Sequence, residues 1–202
     1  IMKRHLRIPL FLLISLLNSL ASYASNEMSF HQLGVKTGMS DNYIQAIERD
    51  KYGFMWFATR DGLNRYDGYH FKTYTTLRQG AYNNSVEWVA EDAAGNIWIK
   101  TPVNYCFYDR EMDELDNRTE LLLHKIGIFE SPRQLFIDDD KNLWCVADNT
   151  LYYYIFSDET LYKQSLPGSV NIADMACRNK RCYILMTDGN VINIDLSLIH
   201  IS

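Results

Sequence analysis

The stretch DKYGFMWFATRDGLNRYDGYHF, residues 50–71, decides the fold. It combines aromatic side chains, glycines and charges without a helical period. FMWFAT is a nearly continuous apolar run, as expected of a strand that is buried on both faces. Asp61-Gly62 is a strong hairpin signal, and the LNRYD segment that follows alternates like a half-buried strand. Residues 50–71 therefore predict short antiparallel strands connected by tight turns.

The pattern around Trp56 recurs along the chain. The same frame fits Trp98, Trp144 and, more weakly, Ile184, at intervals of 42, 46 and 40 residues. The other positions assigned to the repeat are Gly62, Gly189, Asp67, Asp109 and Asp195. Four antiparallel strands in each unit of about 40 residues are typical of a β-propeller blade. An ordinary antiparallel sandwich would not require this shared register.

The repeats predict an all-β chain. We expect a β-propeller of about four blades, each a four-stranded antiparallel sheet, in an open arc because most propellers of this type have more blades. The segment MSFHQL, residues 28–33, alternates like an outer strand whose partners lie outside this chain.

The N-terminus predicts a signal-peptide helix in residues 1–25. Lys3, Arg4 and Arg7 precede an apolar run at residues 8–20, and Ser22-Tyr23-Ala24 is a small-x-small site. We therefore expect cleavage after Ala24 and export of the remaining chain. The alternative is an uncleaved membrane anchor, but the run is shorter than the about 20 apolar residues that a span needs.

The charge of the remaining chain limits its partners. Without the leader, it has 17 basic and 25 acidic side chains, a net charge of −8. An acidic domain without a basic stripe argues against nucleic acid as a partner.

Residues 38–74, GMSDNYIQAIERDKYGFMWFATRDGLNRYDGYHFKTY, closely resemble the first repeat of the two-component regulator propeller family. EDAAGNIWIKT, residues 91–101, resembles a second repeat, and a looser resemblance extends over residues 30–195. The resemblance implies the N-terminal fragment of the periplasmic sensor domain of a hybrid two-component histidine kinase. From this resemblance together with the leader pattern and the repeat frame, we expect a signal peptide at 1–25 and propeller blades within 26–195, near residues 40–78, 83–118, 130–165 and 170–195. Residues 196–202, LSLIHIS, match a translated sequencing adapter and are expected to be non-native.

The family resemblance also implies a context and a ligand. Full-length members continue through a second propeller, a β-sandwich and a membrane helix into kinase, receiver and DNA-binding domains. They are homodimers anchored in the inner membrane. This chain would lie in the periplasm, reach the membrane only through its missing C-terminal part, and sense oligosaccharides released from glycans.

No catalytic or cofactor motif is present in the sequence. The histidines are isolated, and there is no nucleophile elbow, zinc motif or phosphate-binding glycine loop. Residues 138–142, DDDKN, begin like a calcium loop, but Leu143 stands where glycine is required and Asn149 where glutamate is required. We therefore predict no catalysis, no cofactor and no metal, and assign residues 138–142 to a blade turn.

The predicted ligand site lies at one end of the first blade. There the turn between the second and third strands meets the loop that leads into the first strand. This end carries Asp41, Asn42, Tyr43, Arg60 and Asp61. Planar polar groups around an aromatic ring suit a sugar. Turn capping would explain Asp41, Asn42 and Asp61 singly, so both interpretations stay open.

Two other functions are compatible with a propeller. A secreted lyase or glycosidase would need paired carboxylates on the innermost strands. The acidic residues on those strands share no register: Glu48, Glu87, Asp138 and Asp174. The second alternative is a scaffold for protein interactions.

Cys177 and Cys182 flank the first turn of the fourth copy, where a disulfide is geometrically possible. The two side chains could also point to opposite faces of the hairpin. We expect Cys106 and Cys145 to be small buried hydrophobic residues.

Overall fold

A computed structural model of the chain describes residues 30–75, 84–167, 171–178 and 180–195. The predicted signal peptide at 1–25 and the predicted adapter tail at 196–202 lie outside the described residues. Of the MSFHQL segment, residues 28–29 also lie outside them, and residues 30–33 form no strand.

The described residues contain fifteen strands in four antiparallel sheets, and each sheet is built from strands that follow one another in sequence. Sheet one contains β1 to β4, which are Ile44–Arg49, Met55–Thr59, Gly62–Tyr66 and Phe71–Tyr74. Sheet two contains β5 to β8, which are Trp88–Glu91, Ile97–Lys100, Tyr105–Asp109 and Glu114–Asp116. Sheet three contains β9 to β12, which are Pro132–Ile137, Leu143–Ala147, Thr150–Ile155 and Thr160–Ser165. Sheet four contains β13 to β15, which are Ile172–Arg178, Arg181–Met186 and Val191–Asp195.

Little helix accompanies the strands. The described residues contain one α-helix, α1 (Glu120–Leu123), and two 3-10 turns, Val35–Thr37 and His124–Ile126. None of these helices has the length and apolar character that a membrane span needs.

The sheets pack face to face, each on the next, as propeller blades do. The buried side chains form three clusters, one between each pair of consecutive sheets. Trp56, Trp98 and Trp144 each point into the cluster shared with the following sheet and are at most 1% exposed. The prediction of a β-propeller arc is confirmed, and the sheets are called blades one to four below.

In each of the first three blades, the same side-chain hydrogen bond links the connection between the first two strands to the second strand. An aspartate six residues before the tryptophan accepts a hydrogen bond from the indole Nε1 through its Oδ2 atom. The distances are 3.0 Å for Asp50–Trp56, 2.8 Å for Asp92–Trp98 and 2.9 Å for Asp138–Trp144. The Oδ1 atoms accept backbone N–H groups of the five-residue connection, as from Asp140 and Asn142 to Asp138. This aspartate–indole link explains why buried carboxylates recur in the core.

The structure corrects the alignment of Ile184 with the tryptophans. Ile184 packs back against blade three, whereas its neighbours Tyr183 and Leu185 lie on the opposite face, 47% and 40% exposed. The first hairpin of blade four is closed by two residues instead of five. Because side chains alternate along a strand, this shorter connection places Ile184 on the other face.

The remaining repeat positions have local roles at turns. Gly62 has φ +118°, and a Cβ atom there would approach the Tyr74 carbonyl oxygen at 2.8 Å. Asp67 and Asp109 each accept two backbone N–H groups of the turn that follows. Asp195 instead pairs with Arg181, 2.9 Å away, on the neighbouring strand. The repeated aspartate therefore caps a turn in blades one and two and forms an ion pair in blade four.

Asp113 anchors a polar cluster that joins blade one to blade two at their outer strands. Its carboxylate accepts hydrogen bonds from the hydroxyls of Tyr74 and Tyr108, both at 2.6 Å, and pairs with Lys72 and with Arg65 at 3.2 Å. Burial alone would raise the pKa of Asp113, but hydrogen bonds from Lys72, Tyr108 and Tyr74 hold it well below its ordinary value.

The variant Asp113→Asn is expected to lower the free energy of unfolding at pH 7 by about 1 kcal/mol, since solvent screens a side chain that is 40% exposed. Asparagine tolerates the positive φ of 52° at this position. The pKa of Asp113 is lower in the folded protein than in the unfolded chain, where it is about 3.9. The ionised carboxylate therefore stabilises the fold above a pH of about 3.9, and this contribution is lost as the pH falls through the folded pKa. Urea unfolding at pH 7 and pH 3 should therefore show a difference between the two proteins that shrinks in acid. Glu111→Gln, an exposed acid in the same turn, is the control, and a difference that does not change with pH would contradict this account.

Candidate functional site

A buried polar network fixes the end of blade one at which the ligand site was predicted. Ser40, in the loop leading into β1, lies 3.1 Å from the Thr59 hydroxyl at the end of β2. The Ser40 N–H donates to Asn64 Oδ1 at 2.9 Å, and the Asn64 amide donates to Ser40 Oγ at 2.8 Å. Because Thr59 and Asn64 are fully buried, the network holds this loop against the β2–β3 turn. The structure thus brings the predicted residues to one end of the blade.

Tyr43 and Arg60 contact each other directly. The Arg60 guanidinium carbon lies 3.6 Å from the centre of the Tyr43 ring, a cation–π stack. The Tyr43 side chain nevertheless remains 52% exposed. Arg60 itself is exposed and makes no hydrogen bond or ion pair with any described residue. We call these two side chains the Tyr43–Arg60 platform.

Asp41 and Asn42 are partly occupied by their own loop. Asp41 Oδ1 accepts the Tyr43 N–H at 3.1 Å, and Asn42 Oδ1 accepts the Val35 N–H at 2.9 Å. Asn42 thereby ties the loop to the preceding 3-10 turn. Turn capping thus accounts for one oxygen of each side chain and orients the platform.

Asp61 connects the platform to blade two. Its Oδ1 atom accepts a hydrogen bond from the Asn84 amide at 2.9 Å. The Asn84 carbonyl oxygen is buried and has no hydrogen-bond partner among the described residues. An unsatisfied buried acceptor of this kind is unusual in a folded protein. Asn84 could not be predicted from the sequence, because it lies in the segment that leads into blade two and its position has no repeat signal.

One repeated signal at this end could have been found from the sequence. Thr59 and Thr101 stand three residues after Trp56 and Trp98, and each hydroxyl donates to a carbonyl oxygen in the adjacent β-turn. The third copy has Ala147 at this position. The threonines therefore stabilise the turn between the second and third strands of blades one and two.

Of the four carboxylates that the sequence placed on the innermost strands, the structure brings two to one cavity and leaves the other two outside it. Glu48 and Asp138 line a cavity of about 490 Å³, together with Glu91, which sequence analysis did not single out. Glu87 instead pairs with Lys100, and Asp174 accepts the Met175 N–H.

Most of the acceptors in this cavity are used within the protein. The Glu91 carboxylate accepts the Lys51 N–H at 2.9 Å and pairs with Lys141. Asp138 uses both oxygens in its own hairpin and indole link. Burial raises the pKa of Glu48 above its ordinary value, although the Lys141 charge opposes the shift. These groups therefore join blades one, two and three.

Comparison with known proteins supports a propeller of the two-component type. Residues 38–61 match the family model described as two component regulator propeller. A stretch of 37 residues, 18% of this chain, is 51% identical to part of the histidine kinase P4 of Formosa agariphila and covers 3% of that protein. The chain therefore carries a two component regulator propeller repeat.

A solved structure from a hybrid two component system supports the same fold. The extracellular domain of a hybrid two component system from B. thetaiotaomicron matches with a TM-score of 0.55 at 22% identity, over 83% of this chain and 25% of that one. A virginiamycin B lyase from Staphylococcus aureus has a TM-score of 0.44 at 13% identity, over 78% of this chain and 57% of that one. The latter likeness is too weak to bear on chemistry. The chain spans about a quarter of the hybrid system's extracellular domain.

Proposed function

We propose that this chain is the ligand-sensing propeller part of an exported sensor of the hybrid two-component type, and that the ligand is an oligosaccharide. The leader at residues 1–25 supports export to the periplasm. In this proposal the chain binds the ligand without transforming it, and kinase activity belongs to a part of the protein beyond this chain.

The observation that carries the proposal is the Arg60 guanidinium, which stacks on an exposed tyrosine ring and makes no hydrogen bond or ion pair with a described residue. The arginine guanidinium carries five N–H donors in a fixed planar arrangement and no acceptor. Among the described residues Arg60 contacts the Tyr43 ring and makes no hydrogen bond or ion pair, so its donors face no protein acceptor there. The matched family segment, residues 38–61, contains all five residues predicted for the site.

The groups around the platform suit hydroxyl-rich ligands. Arg60 donates hydrogen bonds, the carboxylates of Asp41 and Asp61 accept them, and the Tyr43 ring offers an apolar surface to a sugar. A sugar ring has an apolar face and a rim of hydroxyls, so it can use both kinds of group at once.

Arg60→Ala and Tyr43→Ala are each expected to weaken oligosaccharide binding by about tenfold or more, which corresponds to about 1.4 kcal/mol. Arg60→Ala removes the hydrogen-bond donors of the guanidinium, and Tyr43→Ala removes the stacking surface. Neither substitution changes the Ser40–Thr59–Asn64 network. Binding of the exported protein to an array of immobilised oligosaccharides identifies the ligand, and titration with that ligand measures the loss.

Variants at the other end of blade one are the matched controls. Tyr66→Phe removes a hydroxyl that donates to the Gly68 carbonyl, and Asp67→Asn preserves the acceptor of its turn. Both should bind like the wild type. If these variants abolish binding while Tyr43→Ala and Arg60→Ala bind normally, the ligand site lies at the opposite end of blade one from the one proposed. Circular dichroism checks that every variant is folded.

A further inference from the structure

Blade four lacks the aspartate–indole link that joins the first two strands of the other blades. Its first hairpin contains neither an aspartate in the connection nor a tryptophan on the second strand. Arg178 and Arg181 face each other across a two-residue connection in place of the five-residue connections of blades one to three. The hydrogen-bonded link and its loop are therefore lost together.

Two cysteines stand at the corresponding place in this hairpin. Cys177 and Cys182 are directly opposite each other, one position before and one position after the arginine pair. Both are buried, 6% and 0% exposed, and both lie in the cluster with Trp144 between blades three and four. The two side chains consequently point to the same face of the sheet, which settles the question that the sequence left open.

The strand register suits a bond between them. When two residues close a hairpin, the flanking pair exchanges backbone hydrogen bonds and the next pair does not. In such a non-hydrogen-bonded pair the Cα atoms are about 4.5 Å apart, within the about 4.4–6.8 Å found for disulfides. Burial raises the pKa of the Cys177 thiol, and its hydrogen bond to the Cys182 thiol raises it further. The two sulfur atoms are thus neighbours in the thiol form.

We propose that Cys177 and Cys182 form a disulfide that replaces, in blade four, the aspartate–indole link of blades one to three. The S–S bond forms as both S–H bonds break. Two protons and two electrons pass to the disulfide of a thiol–disulfide oxidoreductase, which becomes a dithiol. Because both thiols are buried in the folded chain, the exchange takes place before blade four packs onto blade three. The inference rests on the proposed export, since such bonds persist in oxidising compartments.

The other two cysteines are internal controls. Cys106 lies in the cluster between blades one and two, and Cys145 lies in the cluster between blades two and three. Neither shares a cluster with Cys177, so a single intramolecular bond is expected. The unfolded exported protein should then show two reactive thiols out of the four cysteines.

The sequence between the cysteines makes the test direct. Arg178, Lys180 and Arg181 are trypsin sites that separate Cys177 from Cys182. Without reduction, tryptic peptides 164–178 and 182–202 of the exported protein should remain joined, and reduction should separate them. The native protein should resist a dithiol reductant until denaturant is added, because blade three covers the bond.

Two further samples distinguish a failure of the proposed disulfide from a failure of the proposed export. Purified chain refolded in a glutathione redox buffer should form the same joined peptides without any export. Free peptides in this sample would overturn the disulfide itself. Joined peptides after refolding together with free peptides from cells would instead overturn the export on which the proposed function depends. In the variant Cys182→Ser, joined peptides must be absent and three thiols reactive, and any other crosslink in that variant would contradict the assigned pair.

Discussion

Trp98→Ala should lower the free energy of unfolding by about 3–5 kcal/mol, the range for removing a large buried aromatic side chain. Trp98 is 1% exposed and fills the cluster between blades two and three, where it packs with Leu143 and Cys145. Its removal leaves a cavity and also leaves Asp92 without the indole donor. Urea unfolding followed by circular dichroism measures the loss, provided that the slope with denaturant stays constant.

Two comparisons show whether burial causes this loss. Trp98→Phe keeps most of the ring but loses the N–H donor to Asp92, and it should cost about 1–3 kcal/mol. Phe129→Ala removes an aromatic side chain that is 69% exposed, and its effect should stay within about 0.5 kcal/mol. If Trp98→Ala is no more destabilising than Phe129→Ala, the tryptophans do not hold the blades together.

Asp50→Asn should destabilise the fold by about 3 kcal/mol, although the two side chains have nearly the same shape. The buried Asp50 carboxylate accepts hydrogen bonds from the Tyr52 and Phe54 N–H groups, both at 3.0 Å, and from the Trp56 indole at 3.0 Å. Arg110 donates to the same Oδ2 atom at 3.3 Å. An amide has only one acceptor atom, so in either orientation two donors lose their acceptor.

Asp67→Asn is the matched control for this substitution. Asp67 is exposed, and its Oδ1 atom alone accepts the N–H groups of Tyr69 and His70. Asparagine supplies the same oxygen, so Asp67→Asn should change the stability far less than Asp50→Asn does. Equal effects at Asp50 and Asp67, measured by urea unfolding at pH 7, would show that the buried aspartate–indole link contributes nothing specific.

The sequence by itself determined the blade frame. The spacing of Trp56, Trp98 and Trp144, the alternation of the strands and the Asp61-Gly62 corner are properties of short segments. Each blade is built from consecutive strands, so local periodicity and turn chemistry suffice to predict it. The same locality placed Tyr43 and Arg60 at one end of one sheet, because each of them borders an adjacent turn of that sheet.

Contacts between blades were decided only by the tertiary structure. Asn84 reaches Asp61 across 23 residues of sequence, and Lys141 reaches Glu91 across 50. No local pattern encodes such pairs, since they depend on how one sheet packs against the next. Blade four shows the same limit. Its two-residue connection reverses the face on which Ile184 lies and turns Cys177 and Cys182 to the same side, because side chains alternate along a strand and a change in hairpin length shifts their register.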